Sequence, residues 1–332
     1  MIERLARVPD VVVPVTPKVE AAIAETVAYL GSDAAVASIE RDPYWPKWDS
    51  PWWHMLLLWE LGEARRIPER SVRAMIDAMN ALPVKIFPLR ESELPPGTSP
   101  HFHISCHCAM GSLIQILAAC GVDSYREMPW ATPWFPRYQM ADGGLNCDSD
   151  AYLVEGETPS SMVGTVPALE AVLLGPWTPE YLAFADRAAA FLIERRVMLG
   201  SQSTHNAEER TREPVWKQLC FPRLYLYDVL RGLAALVRYA EVREQVIPRA
   251  AIEPVIEYLL AEFPDGVVRA GRRSFEGIPT RAPGVEGRQP ASVFALLEAT
   301  STVGEASPWL TRQWAGVRTS VLQLAGSARI AG

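Results

Sequence analysis

Residues 101–108 read HFHISCHC and set His101, His103, Cys106, His107 and Cys108 within one short string, three of the chain's five histidines and two of its five cysteines. Imidazole with thiolate is the donor set that zinc prefers. Adjacent residues such as His107 and Cys108 seldom close on one ion, so a member of the string would have to combine with distant partners. Cys147 and His205 are the natural candidates. A set of Cys108, Cys147 and His205, with Cys106 and His107 as further possible ligands, leaves a fourth position for water or substrate, which is the pattern of a catalytic zinc. Asp148 or Asp228 could then orient a ligand or move a proton. The competing reading is a loop whose histidines cap helices and whose cysteines pack as small apolar residues.

Those residues need elements that bring them together, and five apolar blocks supply a plan. WHMLLLWELG (53–62), CAMGSLIQILAACG (108–121), VPALEAVLLG (166–175), YDVLRGLAALVRYA (227–240) and SVFALLEATSTVG (292–304) each read as a short apolar helix closing on glycine or a small residue. Their spacing of roughly 55 to 65 residues leaves room for a return helix and loops, the signature of a stacked or closed array. Each block is apolar almost all round, as a buried helix is, whereas PERSVRAMIDAMNAL, 178–197 and 248–263 are amphipathic and read as outer partners, with Pro254 a possible kink in the last. Stretches 82–100, 129–160 and 264–290 are rich in Pro, Gly and Ser and read as loops that shape a mouth. Parallel inner helices would ring that mouth with their N-termini, placing His54, Cys108, Ser160, Ser161 and Asp228 near one another, where helix dipoles favour a thiolate. Trp52, Trp53, Trp134, Tyr225 and Tyr227 fall in the same region. With Ser161 they could wall an apolar substrate cavity, and His54, Asp148, Asp228 and Tyr227 are the candidate acids and bases.

The 332 residues read as one all-α domain spanning 1–332, because an array of helical hairpins counts as a single unit. A net charge of -7 without a basic cluster argues against nucleic acid and anionic membrane as partners. The N-terminal apolar run is broken by Pro9 and Pro14 and does not read as a signal peptide, and no apolar stretch is long enough to span a bilayer. A cytoplasmic protein is expected, with thiols that are packed, catalytic or metal-bound rather than paired in disulfides.

The strings WHMLLLWELG, CAMGSLIQILAACG, DGGLNCDSD, PSSMVGTVPALEAVLLG, FPRLYLYDVLRGLAAL and EGRQPASVFALLEA resemble the single-barrel bacterial relatives of squalene cyclases and protein prenyltransferase β subunits. The resemblance covers most of residues 40–304. It implies an α/α toroid of about five to six inner and as many outer helices. The Asp-x-Asp-Asp acid of type II terpene cyclases has no counterpart here, since Asp148-Ser149-Asp150 lacks the third carboxylate. Of the prenyltransferase zinc set only the neighbourhood of Asp142 or Asp148 with Cys147 is matched, and Cys106-His107-Cys108 echoes the Cys-His-Gly string of lanthionine cyclases. The expectation is an enzyme acting on a small hydrophobic or isoprenoid-like molecule in a central cavity, assisted by zinc. A metal-free cyclase or isomerase and a non-catalytic scaffold for an apolar ligand or peptide are the alternatives.

Overall fold

The computed structural model describes residues 1–332, and its only strands are β1 (Ile247–Pro248) and β2 (Ile330–Ala331), a short parallel pair. The helices in chain order are α1 (Ile2–Arg7), α2 (Pro17–Leu30), α3 (Asp33–Arg41), α4 (Pro51–Leu61), α5 (Glu69–Asn80), α6 (His107–Ala119), α7 (Ser124–Glu127) and α8 (Trp134–Tyr138). They continue with α9 (Met162–Val172), α10 (Pro179–Glu194), α11 (Ala207–Arg210), α12 (Glu213–Lys217), α13 (Val229–Arg243), α14 (Arg249–Glu262), α15 (Ala295–Thr300) and α16 (Pro308–Gly326).

The inner helices form where apolar blocks meet terminal signals. Helix α4 starts with Pro51, whose fixed φ suits a first turn, and stops at Gly62, whose φ of 83° is the left-handed cap that glycine adopts freely. Every residue from Pro51 to Leu58 is buried, as is every residue of α6 from His107 to Leu117. Helix α5 instead buries only Ser71, Val72, Met75, Ile76 and Met79, a single stripe at helical spacing. That contrast separates an inner layer from an outer one.

Contacts arrange the inner layer as a ring. Helix α4 packs on α6, α6 on α9 and α9 on α13, while α15 packs on α2 and α2 on α4. Phe294, the residue before α15, stacks on His54 of α4 with centroids 3.6 Å apart, and closure toward α13 comes from residues 270–272: the Gly271 N–H donates to the Leu219 carbonyl at 2.7 Å, Arg272 Nη2 to the Tyr227 carbonyl at 2.8 Å, and the Ala270 carbonyl accepts the Gly304 N–H at 2.8 Å. Outside the ring, α5 pairs with α3, α10 covers α9 and α13, and α16 lies against α13 and α1. The fold is all-α, with the layout of an α/α toroid.

The tightest seam joins α6 to α9. A Cβ on Gly111 would lie 2.5 Å from the Pro167 backbone, so glycine alone permits this approach. Two expectations need correction. The last apolar block forms a helix only over Ala295–Thr300: at one end the Ser292 hydroxyl is drawn to the distant Asp49, and at the other the Thr300 hydroxyl turns back to the Leu296 carbonyl, a local bond that competes with helix extension. The ring interior is also not one open cavity, since Leu224 is fully buried inside it and accepts a bond from Arg231 through its carbonyl while its N–H donates to Glu60. Tyr225 lines a cavity on one side of this segment and Arg223 a cavity on the other. Helix α14 continues through Pro254.

Candidate functional site

Cys106 is the N-cap of α6, Cys108 sits in its first turn, and Cys147 lies on the loop that precedes α9. That loop is seated by an antiparallel bridge between Leu145 and Ser161, by the Leu145 N–H donating to the Thr165 hydroxyl at 2.8 Å, and by Gly164, where a Cβ would come within 2.6 Å of the Leu145 carbonyl oxygen. With α6 drawn against α9 at Gly111, the three cysteines converge. The Cys106 and Cys108 sulfurs are 3.3 Å apart, the Cys108 N–H donates to Cys147 Sγ at 3.4 Å, and all three sulfurs lie within 4.8 Å of one another.

His107 stands between the two cysteines in sequence and faces away from them. Its Nδ1 accepts from Trp134 Nε1 at 3.0 Å and its Nε2 is 2.9 Å from the Tyr152 hydroxyl, which also accepts the Asn146 N–H at 3.1 Å. Because Nδ1 is an acceptor here, the neutral ring carries its proton on Nε2 and donates to Tyr152. Burial pushes the His107 imidazole down to about 4, which keeps it neutral. The expectation that His107 is a metal ligand is therefore corrected. It is a strut running from α8 through α6 to the loop, and it sets the pair Cys106 and Cys108 in register with Cys147.

The electrostatics favour one thiolate in this trio. The neighbouring Cys108 and Cys147 thiols donate to Cys106 and hold it well below the usual thiol range, while the same exchange holds Cys108 and Cys147 well above it. Lys47 faces the trio, its pKa lowered by burial and partly restored by the three cysteines. Its ammonium donates to the Tyr225 hydroxyl at 2.8 Å and lies 5.0 Å from that ring's centroid.

Cys106, Cys108 and Cys147 form one wall of a cavity of about 340 Å³, with Tyr44, Trp45, Phe87 and Tyr225 among its other walls. An adjoining cavity of about 520 Å³ shares Val163 with it and is more polar, lined by Ser161, Arg212, Arg272 and Glu276. Of the expected substrate-facing residues, Tyr225 and Ser161 line these spaces. Trp52 and Trp53 are buried, the Trp53 indole donating to the Tyr44 carbonyl, and Trp134 is spent on His107. Those three position the walls from behind.

The remaining candidates lie elsewhere. His205 pairs with Asp148, Nε2 to Oδ2 at 3.0 Å, on the outer rim and not with the thiols, because its backbone N–H is held by Glu157 and Asp148 is turned outward as the cap of residues 149–153. Asp228 is wholly buried and N-caps α13, with Oδ1 accepting from the Arg231 N–H and Oδ2 from Arg223 Nε and the Cys220 N–H. Tyr227 donates to the Val197 carbonyl from a buried position. A catalytic role for Asp228 is corrected on that ground, since both its oxygens are taken by protein donors, whereas Tyr227, which lines the polar cavity, has only its donor engaged. His54 is sandwiched against Phe294, and burial pushes its imidazole down to about 3. His101 lines the thiol cavity, whereas His103 lies 3.8 Å from Asp42.

Sequence reasoning missed Lys47 and Glu60. Lys47 is the one cation in the aromatic run YWPKW, and Glu60 a lone acid at the end of an otherwise apolar inner helix. An isolated charge in an apolar block was the available signal.

No family model and no curated protein matches the chain. Solved structures of the type II terpene cyclase MstE from Scytonema are similar to it: a variant in complex with merosterolic acid A (product), at 14% identity over 93% of this chain and 99% of that one, has a TM-score of 0.28. A second variant, in complex with geranylgeranyl dihydroxybenzoate (substrate), matches at 14% identity over 92% and 99% with a TM-score of 0.28, and an apo form at 15% identity has the same coverage and score. At these scores the fold rests on the chain's own helix contacts. No helix is long and apolar enough to cross a membrane.

Proposed function

We propose that the protein is an enzyme acting on a small, mostly apolar molecule of the isoprenoid kind, bound in the aromatic cavity beside a zinc ion held by Cys106, Cys108 and Cys147. The observation that carries this reading is the convergence of three sulfurs, from two segments far apart in sequence, on the wall of an apolar cavity. Zinc–sulfur bonds of about 2.3 Å in tetrahedral geometry need sulfurs about 3.8 Å apart, a spacing that the trio reaches with shifts of no more than about 1 Å. Three protein donors and a fourth direction open to the cavity fit a catalytic rather than a closed structural site.

Three thiolates outweigh the ion's two positive charges by one, so the metal's chemistry would be to hold a water or thiol in reactive form at the fourth position. Lys47 offsets the resulting negative charge, and the Tyr44 and Tyr225 rings face the apolar substrate. The adjoining polar cavity accepts the substrate's polar end. Metal analysis of the purified full chain tests this directly. About one zinc per chain is expected, with Cys108→Ser and Cys147→Ser each abolishing retention. Less than about 0.2 equivalent of any transition metal after expression with added zinc removes the metal from the reading.

A further inference from the structure

At the end of the ring opposite the thiols lies a third cavity, of about 330 Å³, between the last turn of α4 and the start of α16. Its apolar walls are Trp59 and a parallel stack of Phe221 on Trp309, with centroids 4.7 Å apart and planes 6° from parallel. Its charged lining is Arg223, Arg231, Arg312, Glu60 and Glu170. Most of these groups already have partners. Arg231 is spent on Glu170 and on the Leu224 and Leu226 carbonyls, and Glu60 accepts the Arg223 and Leu224 N–H groups.

Arg223 and Arg312 are the exceptions among the charged groups, and Gln313 Oε1 on the same lining is likewise buried without a partner. Arg223 is only 6% exposed, its Nε pairs with Asp228 at 2.6 Å, and its Nη2 is buried with no hydrogen-bond partner. A buried guanidinium donor left unmade is costly, and such a group beside a cavity marks the place where a ligand acceptor belongs. Arg312, exposed at the rim, has no carboxylate within ion-pair distance. Burial pushes the Glu60 carboxyl up to about 7, so its neutral form is accessible. With Glu60 neutral, three arginines against Asp228 and Glu170 leave one positive charge, which a monoanion balances.

We propose that this cavity binds a small organic carboxylate, with its oxygens on Arg223 Nη2 and the Arg312 guanidinium and its apolar body between Trp59 and the Phe221–Trp309 pair. Arginine forks match carboxylate geometry, and a flat apolar body suits an aromatic slot. The site is independent of the metal reading, since it shares no residue with the thiol cavity.

Sodium benzoate titrated into the full chain, followed by tryptophan fluorescence and calorimetry, tests the proposal, with benzamide and inorganic phosphate as parallel probes. Saturable benzoate binding is expected, weakened about tenfold or more by Arg223→Lys and by Arg312→Glu, with benzamide and phosphate much weaker. Arg312→Glu alters only an exposed side chain, so it decides the matter if Arg223→Lys does not fold. Absence of saturable binding, equal binding of benzamide or phosphate, or benzoate affinity untouched by Arg312→Glu overturns the proposal. Loss of benzoate binding in folded Cys106→Ser places the ligand at the thiols and overturns it as well.

Discussion

The two ends of the ring treat buried polarity in opposite ways. At the thiol end the reactive groups are soft and nearly neutral, three sulfurs sharing protons, held in place by a strut of aromatic and imidazole hydrogen bonds around His107. At the other end the groups are hard and ionisable, and most of them hold one another: Arg231 to Glu170, Arg223 to Asp228, Glu60 to two backbone N–H groups. Positioning by a neighbouring scaffold leaves the sulfurs free to bind something else. Mutual pairing makes most of the charges part of the fold and leaves over only Arg223 Nη2 and Arg312. The same molecule thus separates groups available for chemistry from groups committed to stability, and substitutions at the two ends should fail in different ways.

The largest effect is expected from Arg231→Met, which strands the Glu170 carboxylate and the Leu224 and Leu226 carbonyls. A loss of about 3–5 kcal/mol in urea unfolding follows from breaking a buried pair on one side only. A loss below about 1 kcal/mol would show that the charged end is not structural and would erase the contrast. The pH dependence sharpens the same point. Below the ordinary carboxyl range Glu60 is protonated in both folded and unfolded chains; between about 4.5 and about 7 the folded chain keeps its proton while the unfolded chain loses it. Its contribution to stability therefore falls as pH rises through that window and is constant above it. Glu60→Gln should remove that part of the slope from a series of denaturant midpoints taken across the window.

Gly111→Ala drives a methyl into the Pro167 backbone at the α6–α9 seam. It should cost about 1–3 kcal/mol and also part Cys108 from Cys147, so zinc retention drops along with stability. A stable variant that keeps full metal content would show that the seam does not set the sulfur spacing. Cys108→Ser is expected to shift the denaturant midpoint of the metal-free chain least, by less than about 1 kcal/mol, while removing any zinc-dependent rise in melting temperature. A large loss in the metal-free chain would make the thiols core residues after all.

Much of the ring was legible before coordinates. Glycine and proline punctuate α4 at both ends, and uninterrupted apolar character marks α4, α6 and α9 as inner helices, because a helix with neighbours on every side has no face for water. Density of soft donors points to the string holding Cys106 and Cys108, and the need for a distant partner points to Cys147, whereas the third ligand of the leading set, His205, lies elsewhere and Cys106 takes its place. His107 and His205 were misplaced because sequence spacing does not show which way a side chain turns: one residue of rotation at the start of α6 sends His107 toward Trp134 while Cys106 and Cys108 face the cavity. The segment through Leu224 was invisible for a different reason, since nothing in FPRLYLYD shows that its backbone enters the ring rather than skirting it.

Leu224 takes a φ of 57°, a conformation that a branched side chain adopts only under constraint, at a cost of about 1–3 kcal/mol. The constraint is visible in the bonds to Glu60 above and Arg231 below. Because the backbone reverses there, Arg223 and Tyr225 project into separate compartments from a single short peptide, which serves as a bulkhead between them.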